Sequence, residues 1–323
     1  MEKILDGAGI MQKDTTIASG SVVLGANQYG KAEVRLVRIE RDTPRHAITD
    51  LNVTSLLRGD YADCYRTGDN AHVLATDTQK NTIYAFAKER WSATAEEFLL
   101  TLGRHFVGTV PWAAGGRWDA EQFGWERITA GGSAHDHSFV RTGQEVRTAA
   151  VTIEDGVEHI VAGLKDLVVL KSTGSEFTGF PRDKYTTLPE TTDRILATSV
   201  TARWRYVPAP AGEPAPAVDY DATFAAVKAL LLETFADTHS LSLQQTIFAI
   251  GERILNELPQ LAEIRFVMPN KHHYLADLSP FGLENPNEVF IAGDRPYGLM
   301  NTTVTRAGQA EAPAAWEFLG GFC

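Results

Sequence analysis

The sequence predicts an α+β protein built by duplication of one structural unit. Two observations carry this. Strand-like alternation and helical periodicity occur in the same order in each half of the chain: strand, strand, helix, helix, strand, strand. No long flexible linker separates the halves, so the two units are expected to share one sheet or to pack edge to edge, with a boundary near Asp155 and Gly156. With 323 residues, 44% of them hydrophobic, the chain can bury one large core or two ordinary ones.

The elements follow in order. Residues 1–20 are expected to form a mobile N-terminal tail ahead of a first unit at 21–155 and a second at 156–323. The first unit opens with extended segments at 31–39 and 46–57. A helix then starts at "TDTQKN" (76–81), where Thr76 is read as the cap, Gln79 as the answering residue of a capping box, and Ile83, Phe86 and Ala87 as the apolar stripe. A second capping box, Thr94 with Glu97, opens a helix carrying Phe98, Leu102 and Phe106 at four-residue spacing. Strand-like "HSFVRT" (137–142) and "EVRTAAVTI" (145–153) close the unit.

In the second unit, strand-like segments at 164–172 and 194–206 come first, the latter alternating Leu196, Val200, Ala202, Trp204 and Tyr206 with Ser199, Arg203 and Arg205. Two amphipathic helices follow. One starts near Asp221 with Phe224, Val227, Leu231 and Phe235 on one face; the other follows Ser240 with Leu243, Ile247, Ile250 and Ile254. Strand-like "EIRFVMPNKHHYL" and "EVFIAGD" end the unit. Between strand and helix, "VPAPAGEPAPA" (207–217) reads as an exposed polyproline-like loop with no assigned role.

Composition removes several functions. No window approaches the roughly 18 apolar residues of a membrane span, and the N-terminal stretch lacks the basic start and apolar run of a secretory signal. Two cysteines, Cys64 and Cys323, are too few for a disulfide framework and fit a reducing compartment, with Cys323 read as a free terminal thiol. A formal charge of −11 without a clustered basic stretch argues against a nucleic-acid partner. An anionic substrate would therefore require positive charge placed locally. GxxxxGK[ST], GxGxxG, GxSxG and HExxH are all missing, which withdraws support from nucleotide-driven, dinucleotide-redox and common hydrolase chemistry. His135 and His137 in "HDH" share one strand face and make a two-histidine start for a metal site, without a third ligand in view.

Five stretches in order and spacing resemble the urate oxidase (uricase) family: "VLGANQYGKAEVRLVRI", "ATDTQKNTIYAFAK", "LKSTGSEFTGFPRDKYTTLPETTDRILAT", Leu243-Gln244 before "TIF", and "PNKHHYLADL". The resemblance covers about residues 20–323. It implies tandem T-fold domains, each an antiparallel four-stranded sheet with two helices, assembled into a tunnel-shaped homotetramer. It also implies oxidation of urate with O2 and water to 5-hydroxyisourate and hydrogen peroxide without metal or organic cofactor.

The residues that the resemblance singles out suit that chemistry. Urate is a flat anion with acceptors along one edge, which the planar fork of Arg194 fits better than a point charge would. Gln244 offers a donor and an acceptor to the neighbouring ring NH and carbonyl, and Leu243 its backbone NH. Phe177 would stack on the purine, and Asn270 would hydrogen-bond O2 and then water on the opposite face. Lys31 is the implied base, which its amine can be only while neutral, with Thr76 and His272 completing a proton relay and Asp77 beside the ligand. In the family, the set from the first half meets the set from the second across a subunit boundary.

The chain ends "GGFC" and lacks the Ser-Lys-Leu address of many eukaryotic relatives, so a bacterial cytoplasmic enzyme is expected. The alternatives are a zinc-dependent T-fold enzyme acting on a pterin or guanine nucleotide, to which "HDH" points, and a non-catalytic purine-binding protein.

Overall fold

The computed structural model describes residues 22–208, 217–293 and 295–317. The expected tail at 1–20, most of the proline-rich stretch and Cys323 lie outside the described residues. In chain order the elements are β1 (Tyr29–Glu40), β2 (Ala47–Gly59), α1 (Ala62–Arg66), α2 (Thr76–Glu89), α3 (Ala95–Thr109), β3 (Ala113–Ala130), β4 (Ser133–Glu154), β5 (Val157–Lys171), β6 (Leu196–Tyr206), α4 (Tyr220–Asp237), α5 (Leu243–Glu257), β7 (Leu261–Asn270), β8 (His273–Leu275), β9 (Phe290–Ala292), β10 (Gly298–Thr305) and α6 (Pro313–Trp316).

One antiparallel sheet of eight strands runs β1-β2-β3-β4-β5-β6-β7-β10. The two halves join at its centre, where β4 pairs with β5 from Val146↔Lys165 to Glu154↔Val157. The connection is a two-residue turn, Asp155 and Gly156, both at positive φ (51° and 75°), which suits the right-handed twist of the flanking strands.

Helices α2 to α5 cover one face. Strand residues Leu51, Val53, Trp118, Val151, Leu164, Trp204 and Phe266 meet helical Ile83, Phe98, Leu102, Val227, Leu231, Ile247, Ile250 and Ile254 in one buried cluster. Each such side chain contributes roughly 1.5–3 kcal/mol by leaving water. The predicted stripes of α3, α4 and α5 therefore face the core, with Phe224 only half-buried.

The other face is charged, yet largely buried. Arg205 Nε donates to Glu263 Oε1 at 2.7 Å, Trp316 Nε1 donates to the same carboxylate oxygen at 2.8 Å, and Arg117 pairs with Asp119 at 2.8 Å. Helix α6 lies over this network, with Trp316 and Ala315 packed on Ala150 and Val161. Arg205 of β6 is thus ion-paired beneath the C-terminal segment.

The strand assignments need several corrections. "EIRFVMPNKHHYL" is not one strand: β7 ends at Asn270 and β8 (His273–Leu275) belongs to a separate two-stranded sheet. Segments 137–142 and 145–153 are one strand, β4, which pairs with β5 on one side and on the other with β3, a strand that carries no clean alternation. The glycines of β3 depress strand propensity. Gly115 is nevertheless required, because a Cβ there would lie 2.2 Å from the Ile153 carbonyl oxygen of β4. "EVFIAGD" does not close the main sheet: β9 pairs only with β8, as His273↔Ala292 through Leu275↔Phe290. The closing strand is β10, an edge strand in which only Val304 is buried, so its sequence shows little pattern.

Candidate active site

The residues implied from the first half gather around β1 and the start of α2. Lys31 stands opposite Ser55 in the β1–β2 ladder, directly before a bulge between Lys31 and Val34 in which Glu33 takes a φ of 58°. A bulge adds a residue to one strand and re-aims the side chains beside it. The backbones approach closely here, since a Cβ on Gly30 would fall 1.8 Å from the Ser55 carbonyl oxygen. Near Lys31 the strand pair is tied to α2 and the segment before it: Tyr29 Oη donates to the Leu74 carbonyl at 3.2 Å, and buried Ser55 Oγ donates to Gln79 Oε1 at 2.9 Å.

The capping box expected at Thr76 is not formed. Ala75 is the N-cap, Thr76 is the first helical residue, and Gln79 is buried against β2. The physical reason is tertiary: bonding Ser55 in the core satisfies the Gln79 carbonyl better than reaching back to an exposed helix end. The Thr76 hydroxyl has no bonding partner among the described residues, so it is not consumed by capping. Asp77 is exposed and accepts hydrogen bonds from Lys80 and from Asn81 Nδ2 at 3.0 Å. Its carboxyl is held below the usual carboxylate range, first by Lys80, then by Asn81 and the charge of Lys31. Lys31 and Asp77 therefore share one local field.

The second set gathers beyond β6 and β7. Residues 174–194 form a loop folded on itself by the Phe177↔Thr191 bridge and on the segment before α5 by the Ser175↔Ser240 bridge. Arg194 is half-buried, its guanidinium carbon 5.3 Å from the Phe177 ring centroid, and burial lowers its pKa, a cost that an anion placed against it would relieve. Phe177 stacks on Phe180 at 4.8 Å. Leu243 is buried as the first residue of α5, behind the N-cap Ser242, and Gln244 beside it is exposed. Asn270 ends β7 with Cα partners Thr198 on β6 and Gly298 on β10. His272 follows, its imidazole held below the ordinary histidine value by partial burial and then by the charges of Arg194 and His273. It is thereby neutral near pH 7.

One chain does not join the two sets. β1 and β7 are six positions apart in the sheet order, which is roughly 29 Å along the sheet at about 4.8 Å per strand. Lys31, Thr76 and Asp77 flank one edge, whereas Phe177, Arg194, Leu243, Gln244, Asn270 and His272 flank the other.

Sequence reasoning passed over the hydroxyls that hold these parts. Ser55, Ser175 and Ser240 are each 0% exposed and hydrogen-bonded to site elements. Their only signal was a small polar residue inside or near the stretches quoted above. His135 and His137 meet ring to ring at 4.5 Å, and among the described residues no group of three or more His, Cys, Asp or Glu is arranged to hold a metal.

Comparison with known proteins gives a consistent result. The family model described as Uricase matches residues 27–152 and 160–301, which include every site residue named above. Uricase of Arthrobacter globiformis is 57% identical over 308 residues, covering 95% of this chain and 98% of the relative. Uricase of Dictyostelium discoideum is 38% identical, covering 87% and 96%. Among solved structures, the Arthrobacter globiformis uricase superposes with a TM-score of 0.85 at 58% identity, covering 91% of this chain and 98% of that one. Urate oxidase of Bacillus sp. TB-90 does so with a TM-score of 0.73 at 28% identity, covering 87% and 100%. The antiparallel sheet with its paired helices is accordingly the tandem T-fold architecture, and the chain belongs to the uricase family.

Proposed function

We propose that the chain oxidises urate with O2 and water to 5-hydroxyisourate and hydrogen peroxide, at a site completed by two copies of the chain. The observation that carries this reading is the uricase match across both sets of site residues. The separation of those sets on opposite sheet edges supports the two-copy arrangement. Among the described residues each edge strand, β1 and β10, pairs on one side only, which leaves the other for a second copy to add. Exposed Tyr274, Leu275, Phe281, Ile291 and Leu299 provide apolar surface near the second set. A homotetramer enclosing a tunnel is the assembly proposed.

In this site Arg194 and Gln244 grip the acceptor edge of urate, the Leu243 backbone NH adds to them, and Phe177 covers one purine face. Asp77 lies beside the ligand. Lys31 of the other copy removes a proton, raising the electron density of the ring. Thr76 and neutral His272 carry that proton away through ordered water. Asn270 positions O2 and then water on the open face. Two electrons and two protons pass from urate to O2, giving H2O2, and water adds to the oxidised ring to give 5-hydroxyisourate. No metal or organic cofactor enters these steps.

The substrates are urate and O2, with neither nucleic acid nor membrane as partner. We place the protein in the bacterial cytoplasm, on its cysteine usage and its likeness to the Arthrobacter protein. The test follows the loss of urate absorbance in air-saturated buffer containing chelator, with peroxide measured in parallel. Stoichiometric peroxide is expected; urate left untouched would overturn the reading.

A further inference from the structure

We propose that Ser175 is a positioning residue that selects which edge of the Arg194 guanidinium faces the substrate; this rests on the urate oxidase reading above. A guanidinium can present either its two terminal nitrogens or its Nε with one of them, and the two edges differ in direction. Here the choice is made by the protein. Arg194 Nε donates to Ser175 Oγ at 3.2 Å, and the Arg194 backbone NH donates to the Ser175 carbonyl at 2.9 Å. Side chain and backbone are thus held by one residue. The two terminal nitrogens have no hydrogen-bond partner among the described residues, so they are the edge left to take an anion in fork geometry.

Ser175 is itself fixed. It is 0% exposed and bridges Ser240, and its own chain neighbours close the frame: Glu176 N donates to Ser240 O at 2.9 Å and Ser240 N donates to Gly174 O at 2.9 Å. The Ser240 hydroxyl meets Thr246 Oγ1 at 2.6 Å, inside α5 and one turn beyond Leu243 and Gln244. The loop that holds the arginine is therefore bolted to the helix that holds the glutamine. A long, rotamer-rich side chain locked in this way loses less freedom when the ligand binds.

The experiment is a double-mutant cycle between Ser175→Ala and Arg194→Lys, read as kcat and KM for urate and, at subsaturating urate, as kcat/KM. In the parent background, Ser175→Ala is expected to raise KM about tenfold with kcat within about twofold, the pattern of lost binding common to ground and transition states. In the Arg194→Lys background, where there is no Nε fork to orient, the same change is expected to alter kcat/KM by less than about twofold. An equal loss in both backgrounds, or an unchanged KM in the first, would overturn the proposal. Should Ser175→Ala fold poorly, Ser175→Cys keeps the volume with a sulfur that accepts weakly, and the same cycle applies. Failure of the parent chain to oxidise urate would defeat the functional reading, whereas an active parent with an indifferent Ser175→Ala defeats only this inference.

Discussion

The two regions proposed to supply the site are built on different principles. On the β1 side, the residues sit on regular elements: Lys31 on a strand at its bulge, Thr76 and Asp77 in the first turn of a helix. On the β7 side, Phe177 and Arg194 sit on a loop of some twenty residues held by buried serines rather than by a ladder. Rigid elements place a base by strand register alone. A clamp that must grip a planar anion from several sides needs a loop, and a loop needs bracing. The difference shows where each half is vulnerable: the first through backbone geometry, the second through hydroxyl contacts.

The largest effect should come from breaking each region separately and then combining the broken chains. Lys31→Met and Arg194→Ala are each expected to lower kcat/KM by about 10²-fold or more. Mixed during refolding, random pairing makes half the interfaces mixed, each with one intact site of two, so about one quarter of the parental rate should return. Mixed assemblies that stay inactive would show that the regions do not meet between copies.

Next in size is the test of strand register. Gly30→Ala places a methyl group against the Ser55 carbonyl. It should shift β1 by a fraction of an ångström to an ångström at Lys31 and lower kcat by about 10²-fold, with a smaller change in KM. A variant with parental kcat would mean that the close approach at Gly30 is not what aims the lysine.

The join between the two units can be weakened without touching either set. Arg147 on β4 bonds Glu96 of α3 at 3.0 Å and reaches Asp221 of α4, so it pins helices from both halves. Burial raises the pKa of Glu96 despite that partner. Arg147→Met leaves this fully buried carboxyl group without its guanidinium and should lower stability by about 3–5 kcal/mol, seen as a reduced denaturation midpoint at fixed protein concentration. An unchanged midpoint would show that packing alone holds the units together.

The finest effect is on His272. Its folded-state pKa lies below its unfolded value, so any stability it contributes is present above about pH 6.5 and is lost as pH falls through the lower, folded value. A histidine-selective NMR titration, assigned through His272→Asn, should give a midpoint below about 6.5, and Arg194→Met should move it upward. A midpoint unaffected by Arg194→Met would leave burial and the charge of His273 as its causes.

The legible parts of this protein are those whose signal is local. Helices α3, α4 and α5 were visible because their apolar residues repeat at helical spacing and Thr94 announces the first of them with a real cap. The turn at Asp155 and Gly156 between β4 and β5 was equally plain, and the quoted stretches carried the family. Strands β3 and β10 were not visible: one needs glycine where β4 comes close, and the other is an edge with a single buried residue. The opening of α2 misled for a related reason, since Thr76 and Gln79 have capping-box spacing but Gln79 was claimed by Ser55 across the core.

What the sequence by itself determined is the kind of element at most positions and the family to which the chain belongs, because periodicity and short motifs are properties of neighbours along the chain. Only the tertiary structure decided that Lys31 and Arg194 lie in opposite halves of one sheet, that Arg205 of β6 is buried in the network beside Trp316 of α6, and that serines far apart in the chain hold the loop of Arg194. Those facts depend on strand order and on which buried polar groups find partners, and such partners are chosen in space, across separations at which no local pattern records them.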